Sequence, residues 1–283
     1  MQRYKIVHNT YYNFSAAVQL QPHRLLLRPR EDHELRVETS LLNITPVANV
    51  RWHRDVEDNS VAIATFTTPA TQLRIESSIV IQQYNETPLD FVVESSATLY
   101  PFNYSPEDRA VLAPYITVSE RTDNILLSAW VARRFPAKKE PIESYVLLRQ
   151  LSRHIFDSLA YQMREEPGVQ TPQETLQKGT GSCRDFANLL MEACRCAGLA
   201  ARFVSGYLYT PQSTVPGATH AWTEIYIPGA GWKGFDPTSG EIAGKKHIAV
   251  AVARLPELVP PVAGSFIGPP GTSLDVGVWV SAI

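Results

Sequence analysis

The sequence predicts an α+β protein in which a β-rich N-terminal module precedes a module of helices followed by strands. Two observations predict this class. Residues 1–105 are rich in β-branched and aromatic side chains, and several segments alternate polar and apolar residues. From Ser119 the apolar residues recur at helical spacing, and after Gly198 the strand pattern returns. We therefore divide the chain into two domains, residues 1–105 and residues 106–283.

The N-terminal module contains four segments with the strand pattern, namely Tyr4–Tyr12, Leu35–Leu42, Val61–Phe66 and Leu73–Ile81. Turn signals such as Asp58-Asn59 and Thr68-Pro69 separate them. Short strands at this spacing favour an antiparallel sandwich over a sheet of parallel strands joined by helices. The module has no residues with an obvious chemical role.

Three helices are predicted next. The first two have their apolar residues within Ile125–Trp130 and Tyr145–Leu159, and the run 135–141 breaks the chain between them. The third begins at Cys183 and ends near Gly198, and its apolar face is formed by Phe186, Leu189, Leu190, Ala193 and Ala197.

Four predicted strands complete the second module: Ala201–Tyr209, Ala221–Ile227, Trp232–Phe235 and Leu274–Val280. The turn Pro228–Gly231 makes the second and third of them a hairpin. The segment Leu255–Pro270 is rich in proline and glycine, which predicts an irregular connection on the surface.

The composition excludes several classes of partner. The 283 residues carry a net charge of −2, which gives no electrostatic reason to expect nucleic acid or an anionic membrane. Residues 1–14 contain no apolar run of signal-peptide length, and no later segment approaches the ~20 apolar residues of a membrane span. We expect a cytoplasmic protein.

The cysteines argue against a disulfide framework, because there are three of them and Cys194 and Cys196 lie two residues apart on one helix. That pair lacks the spacing of a zinc site, and we interpret both as small apolar side chains. Neither a metal cluster nor a glycine-rich phosphate motif is evident, so we predict no cofactor.

Cys183 has a different setting, because it follows the glycine-bearing turn Gly179–Ser182 and falls in the first turn of its helix. The free backbone N–H groups and the positive dipole at this end of a helix favour a thiolate. A first-turn cysteine considered alone is nevertheless more often structural than reactive.

A nucleophilic thiol needs a base and a polar group that orients the base. His220 and Asp236 lie on the two strands of the predicted hairpin, which would bring them together at one edge of the sheet. Each has an alternative interpretation, since His220 could be a structural strand histidine and Asp236 a turn residue before Pro237. In isolation His154 and His247 look no different from His220.

Four motifs together resemble the core of bacterial transglutaminase-like proteins, which belong to the papain-like superfamily and are often described as cysteine protease candidates. The motifs are Gly181–Ala187, Gly198–Tyr207, His220–Trp222 and Asp236–Thr238. Residues 25–30 and 52–59 are similar to the family's β-rich N-terminal region, and residues 260–280 also match the family, so the resemblance covers nearly the whole chain.

The resemblance implies that Cys183 is the nucleophile, His220 the base and Asp236 the orienting acid. It also implies a papain-like domain in which a helix block packs on an antiparallel sheet. A thiol of this kind transfers acyl groups through a thioester. We expect a peptide or protein amide as substrate, with water as the acceptor. Two alternatives stay open: a transglutaminase that uses an amine, and a non-catalytic binding module on the same scaffold.

Residues around the predicted nucleophile have less certain roles. Asp185 is expected to cap the helix, whereas Arg184 is either a solvated side chain or a contact for substrate. Trp222 and Trp232 could wall the cleft or fill the space between strands. The backbone N–H of Cys183 is the expected oxyanion donor.

Overall fold

The computed structural model describes residues 1–84, 89–119, 124–134, 141–211 and 217–283, apart from the side chain of Asn124. It confirms the predicted α+β class and the antiparallel sandwich at the N-terminus. The division into residues 1–105 and 106–283 stays a prediction. The predicted break at 135–141 lies outside the described residues except for Pro141.

The N-terminal strands are β1 (Gln2–Leu20), β2 (His23–Leu25), β3 (Leu35–Thr45), β4 (Asn49–Arg54), β5 (Ser60–Thr65) and β6 (Ala70–Gln83). Near the C-terminus follow β16 (Val262–Ala263), β17 (Phe266–Ile267) and β18 (Thr272–Ala282). In one sheet β1 lies between β6 and β18, with β3 beyond β6 and β17 at the far end of β1. The second sheet has the order β16-β2-β5-β4, and both are antiparallel. Buried apolar residues of β1, β2, β5 and β6 fill the space between them.

The last strand corrects one prediction. The sequence grouped Leu274–Val280 with the strands of the second module, but β18 pairs with β1 from Tyr4↔Ala282 to Phe14↔Thr272. The physical reason is that alternation identifies a strand without identifying its partner. β1 offers a long free edge, and the chain returns to cover it. The end of the chain therefore belongs to the N-terminal sheet.

The middle of the chain contains β7 (Leu99–Tyr100), α1 (Pro106–Ile116), α2 (Asn124–Ala132), β8 (Ile142–Glu143), α3 (Ser144–Ser158), β9 (Ala160–Tyr161), α4 (Pro172–Lys178), β10 (Thr180–Gly181) and α5 (Cys183–Cys196). Of these helices, α1 and α4 were not predicted. α1 buries only Leu112 and contains Pro114, and α4 has seven residues, so neither shows a recognisable apolar stripe.

The third sheet carries the candidate site. Its strands are β11 (Ala201–Leu208), β12 (His220–Ile227), β13 (Gly231–Asp236), β14 (Glu241–Ile242) and β15 (His247–Ala253). They are antiparallel in the order β14-β13-β12-β11-β15, and the predicted hairpin is the β12-β13 pair. Helix α5 packs on β11 and β12. The buried hydroxyl of Thr223 donates to the carbonyl of Ala187 at 2.7 Å, which fixes the helix against the strand.

One hydrophobic core joins the two predicted domains. Ile6 and Ile81 of the first sheet belong to the same buried cluster as Leu190 of α5 and Ile225 of β12. The position of α5 therefore depends on packing contributed by both parts of the chain. Among the described residues, no helix combines the length and the apolar character needed to cross a membrane.

Gly206 shows how tightly the third sheet is packed beside the candidate site. It lies in β11 opposite His220 of β12 and Ala249 of β15. A Cβ atom at this position would lie 2.3 Å from the carbonyl oxygen of Ile248 and 2.7 Å from the ring of Trp222. Neither the backbone nor the buried indole can move away without disturbing the sheet, so glycine is required here.

We predict that Gly206→Ala lowers the free energy of unfolding by about 1–3 kcal/mol, the usual cost of overpacking a well-filled core. Urea unfolding followed by fluorescence measures this change. The matched control is Gly217→Ala, because a Cβ there would lie at an ordinary 3.7 Å from the carbonyl oxygen of Val278. Equal effects of the two substitutions would contradict the packing argument.

Candidate active site

Cys183 is the first residue of α5, as the sequence predicted, and its side chain is partly exposed. Ser182 precedes it in an extended conformation, and its carbonyl accepts the backbone N–H groups of Asp185 and Phe186 at 3.0 Å each. The thiol therefore lies where the free N–H groups of the helix are concentrated.

Asp185 fastens the surrounding chain to the start of α5. Its fully buried carboxylate accepts the backbone N–H and the hydroxyl of Ser182, both at 2.8 Å, which is the predicted capping role. The guanidinium of Arg164 donates to both oxygens of this carboxylate, at 2.7 and 2.9 Å, and the backbone N–H of Gln170 donates to it at 2.8 Å. Burial would raise the pKa of Asp185, but these hydrogen bonds hold it below its usual range. The segment from Arg164 to Gln170 is thus held against the helix.

His220 begins β12 and interacts with the two other predicted site residues. Its Nε2 donates to Oδ2 of Asp236 at 2.9 Å, and the Cys183 thiol is near enough to help raise the pKa of the imidazole. Because Nε2 is engaged by the carboxylate, Nδ1 is the ring nitrogen left for the sulfur. The structure therefore brings together the three residues that the sequence singled out.

Asp236 ends β13, and its carboxylate is fully buried. Besides the His220 ring, Oδ2 accepts the hydroxyl of Ser239 at 3.0 Å and Nε2 of His247 at 3.1 Å. Oδ1 accepts the backbone N–H of Thr238 at 2.9 Å, which is the turn role that the sequence also allowed. Asp236 therefore serves as a turn residue and as the partner of two histidines.

The charges of His220 and Asp236 depend on each other. Burial would lower the pKa of His220, but the hydrogen bonds to Asp236 and Cys183 and the charges of these partners raise it to about 10. Burial would raise the pKa of Asp236, yet the hydrogen bonds from His220 and His247 hold it far below its usual range. The arrangement consequently favours an imidazolium at neutral pH, next to the sulfur of Cys183.

His247 begins β15, and nothing in its sequence context distinguishes it from the other histidines. Its Nδ1 accepts the backbone N–H of Gly244 at 3.2 Å, so Nε2 carries the proton that it donates to Asp236. Strand β15 lies beyond β11 from β12, so the side chain reaches Asp236 from a strand that is not adjacent to β12 or β13. Only the fold makes this contact, because no local motif links residues 236 and 247.

Three atoms of this group have the spacing of a metal site, since possible ligand atoms of His220, Asp236 and His247 all lie within 4.8 Å of one another. A metal on Nε2 of His247 would require the proton to move to Nδ1. Nδ1 already faces the N–H of Gly244, and two donors would then oppose each other. The donor set therefore fits a hydrogen-bonded carboxylate better than a metal ion.

Cys183 and His220 line a cleft of about 240 Å³. Its walls are mainly apolar, with Tyr161 and Met163 exposed at its border and Val259 buried in it. Glu257 and Arg184 supply charged groups to the same cleft. An extended acyl substrate could reach the sulfur along this surface.

Arg184 points toward the neighbouring segment, where its guanidinium donates to the carbonyls of Arg164 at 3.2 Å and Glu166 at 2.5 Å. The sequence suggested a solvated side chain or a contact for substrate, and this contact with backbone carbonyls is neither of the two. It reinforces the attachment that Asp185 makes to the same segment.

The two tryptophans border a cleft other than the one that contains Cys183. Trp222 is buried, with ring centroids 6.1 Å from His220 and 5.1 Å from His247. Together with Trp232 it lines a second cleft of about 370 Å³, which His247 also borders and Cys183 does not. Trp222 therefore packs against both histidines and does not form a wall of the cleft that contains Cys183.

The other two cysteines are free thiols, of which Cys194 is buried and Cys196 is partly exposed. Burial raises the pKa of Cys194, which is completely enclosed, and burial also raises the pKa of Cys196. Neither thiol lines the cleft that Cys183 shares with His220. This agrees with their predicted role as small packing residues.

Two family models match the chain. The transglutaminase-like superfamily model matches residues 131–237, which include the three predicted site residues. The model of the bacterial transglutaminase-like N-terminal region matches residues 4–82, which cover strands β1 to β6 of the sandwich.

Two mycobacterial proteins are similar to the chain over nearly its full length. An uncharacterized protein of Mycobacterium leprae is 26% identical over 294 residues, covering 100% of both chains. Another from Mycobacterium tuberculosis is 29% identical over 296 residues, covering 98% of this chain and 92% of the relative.

A solved structure supports the fold. It is described as "a Putative Cysteine Protease from Cytophaga hutchinsonii", and it matches with a TM-score of 0.78 at 18% identity, covering 100% of this chain and 91% of that one. At this identity the likeness concerns the fold. The two family models and the shared architecture lead to one conclusion: the chain combines a transglutaminase-like core, over residues 131–237, with a bacterial transglutaminase-like N-terminal region, over residues 4–82.

Proposed function

We propose that the protein is a thiol-dependent acyl-transfer enzyme that uses Cys183, His220 and Asp236 to hydrolyse peptide or isopeptide-like amides. One observation carries this proposal. A thiol at the start of a helix shares a cleft with a histidine that is held by a buried carboxylate, and thiol and carboxylate both raise the pKa of that histidine. A structural cysteine needs none of these partners.

In the proposed first step, the Cys183 thiolate attacks the carbonyl carbon of the amide and a C–S bond forms. Negative charge develops on the carbonyl oxygen, for which the backbone N–H of Cys183 is our proposed donor. The His220 imidazolium then gives its Nδ1 proton to the amide nitrogen as the C–N bond breaks. The amine leaves, and the acyl group stays on Cys183 as a thioester.

In the proposed second step, a water molecule attacks the thioester while Nδ1 of His220 takes one of its protons. A C–O bond forms, the C–S bond breaks, and the carboxylic acid is released. The thiolate and the imidazolium are thereby restored. Asp236 keeps its hydrogen bond to Nε2 of His220 throughout, so the ring does not turn between the two steps.

We favour water as the acceptor because it needs no binding site of its own. An amine such as a lysine side chain could attack the same thioester, and the product would then be a new amide. The cytoplasm stays our proposed location, and a peptide or protein amide our proposed substrate.

We predict that iodoacetamide alkylates Cys183 at pH 7 at least about tenfold faster than Cys194 or Cys196, the factor that corresponds to one pKa unit. Peptide mapping by mass spectrometry after timed labelling measures the three rates separately. The expected cause is the imidazolium beside Cys183, set against the raised pKa values of Cys194 and Cys196. Equally slow labelling of all three cysteines would contradict the catalytic assignment.

Activity should persist from near neutral pH up to about 10 and fall as His220 loses its proton, because the imidazolium is the acid of the first step. In Asp236→Asn the carboxylate charge is gone and burial dominates, which lowers the pKa of His220. The alkaline limit should then move to neutral pH or below. The pH profile of kcat/KM measures this shift. Asp157→Asn, at an exposed residue that pairs with Arg153, is the matched control and should leave the profile unchanged.

A screen of peptide and glutamine-containing substrates, with and without an added primary amine, tests the choice of acceptor. We expect hydrolysis products without the amine and none from Cys183→Ala, which lacks the nucleophile. Cys196→Ala, which changes a thiol outside the cleft, is the matched active control. Products that appear only when the amine is present would reject hydrolysis in favour of transglutamination.

A further inference from the structure

We propose that His247 is a positioning residue of this site, a neutral histidine that holds the Asp236 carboxylate in the orientation from which it binds His220. The inference rests on the proposed function and extends the set of three residues to four. His247 contacts Asp236 directly and does not line the cleft that contains Cys183.

The proton of His247 is fixed by the backbone. The segment from Gly244 to His247 forms a closed turn, since the N–H of His247 donates to the carbonyl of Gly244 at 2.8 Å. In the same turn the N–H of Gly244 donates to Nδ1 of the ring at 3.2 Å. An imidazole that accepts at Nδ1 can donate only from Nε2 while it is neutral, and Nε2 faces Oδ2 of Asp236. The ring can therefore serve as a donor without carrying a charge.

His247 has two aromatic neighbours, Trp222 and His220. The ring of Trp222 is close to perpendicular to that of His247, and the ring of His220 lies 5.9 Å away between centroids. The cleft of about 370 Å³ that His247 borders is also lined by His33, three cations and three carboxylates. The cations are Arg30, Arg202 and Lys233, and the carboxylates are Asp32, Glu34 and Glu224. They balance one another in formal charge.

The consequence for the thiol follows from hydrogen-bond geometry. A carboxylate that is hydrogen-bonded only to one histidine could rotate about its Cβ–Cγ bond. The ring of His220 would then follow the carboxylate. Asp236 cannot do so, because Thr238 holds Oδ1 while Ser239 and His247 hold Oδ2. His247 is the only ring among these three donors and comes from another strand, so it ties Asp236 to the far side of the sheet. Loss of this donor should weaken the hydrogen bond that keeps His220 an imidazolium.

The experiment measures the rate at which iodoacetamide alkylates Cys183 as a function of pH in wild type, His247→Leu and His247→Gln. The amide nitrogen of glutamine can take the position of Nε2, whereas leucine removes the donor. His23→Leu is the matched control, because His23 is also a buried histidine but contacts the N-terminal sandwich. Thermal unfolding of each variant reports its stability separately.

At pH 7 we expect His247→Leu to slow the alkylation of Cys183 by about tenfold, equivalent to one pKa unit of lost imidazolium stabilisation. His247→Gln should recover most of the rate, and His23→Leu should keep it. Above about pH 10, where an ordinary thiol is ionised without help, the leucine variant should approach the wild-type rate. This convergence distinguishes a lost charge partner from a blocked cleft.

Several results would overturn the inference. A leucine variant with the wild-type profile would do so, as would equal losses in the leucine and glutamine variants, because the donor would then be irrelevant. If added Zn²⁺ slows the alkylation of Cys183 in the wild-type protein and His247→Leu removes this effect, His247 is a metal ligand and not a hydrogen-bond donor to Asp236. If Cys183 of the wild-type protein reacts no faster than Cys194 and Cys196, the proposed function itself fails. The two failures are therefore distinguishable.

Discussion

The buried carboxylate of Asp236 is the interaction on which the rest of the site depends. An ion in the protein interior costs several kcal/mol unless its lone pairs are well satisfied. Asp236 meets this condition with four hydrogen bonds, from His220, His247, Ser239 and Thr238. These donors come from the starts of β12 and β15 and from the turn after β13. Strand order and turn chemistry are both needed to bring these donors to one carboxylate. The negative charge that results is what allows His220 to stay protonated beside a sulfur.

A second buried carboxylate, that of Asp185, lies close to the thiol in sequence and has a different role. Asp185 accepts two donors from Ser182 and further donors from Arg164 and Gln170, so its charge is used within the scaffold. It sets where α5 begins and holds one wall of the cleft. Asp236 faces the histidines and acts on the chemistry. The site thus separates the carboxylate that fixes the nucleophile from the one that governs the base, which explains why two aspartates are buried within one small region.

The sequence predicted the sandwich strands β1, β3, β5 and β6, the cysteine helix and the β12-β13 hairpin, because each is encoded by a local period or turn. The proximity of Cys183, His220 and Asp236 followed from helix and hairpin together with the family resemblance. Three features escaped because they depend on contacts that no local pattern encodes. β18 pairs with β1 across the length of the chain, His247 reaches Asp236 from a strand that is not adjacent to β12, and the core of α5 includes residues from the first sheet. Helices α1 and α4 escaped for another reason, since neither carries a clear apolar stripe.

The central claim is that Asp236 keeps His220 positively charged next to Cys183. Nitrogen-15 NMR of histidine-labelled protein tests it most directly, because the chemical shifts of Nδ1 and Nε2 report which ring nitrogens carry protons. At about pH 8, well above the ordinary histidine pKa of about 6.5, the account predicts that both nitrogens of His220 are protonated. Their titration should then be centred near 10. A neutral His220 ring at about pH 8, with an ordinary pKa, would contradict the account.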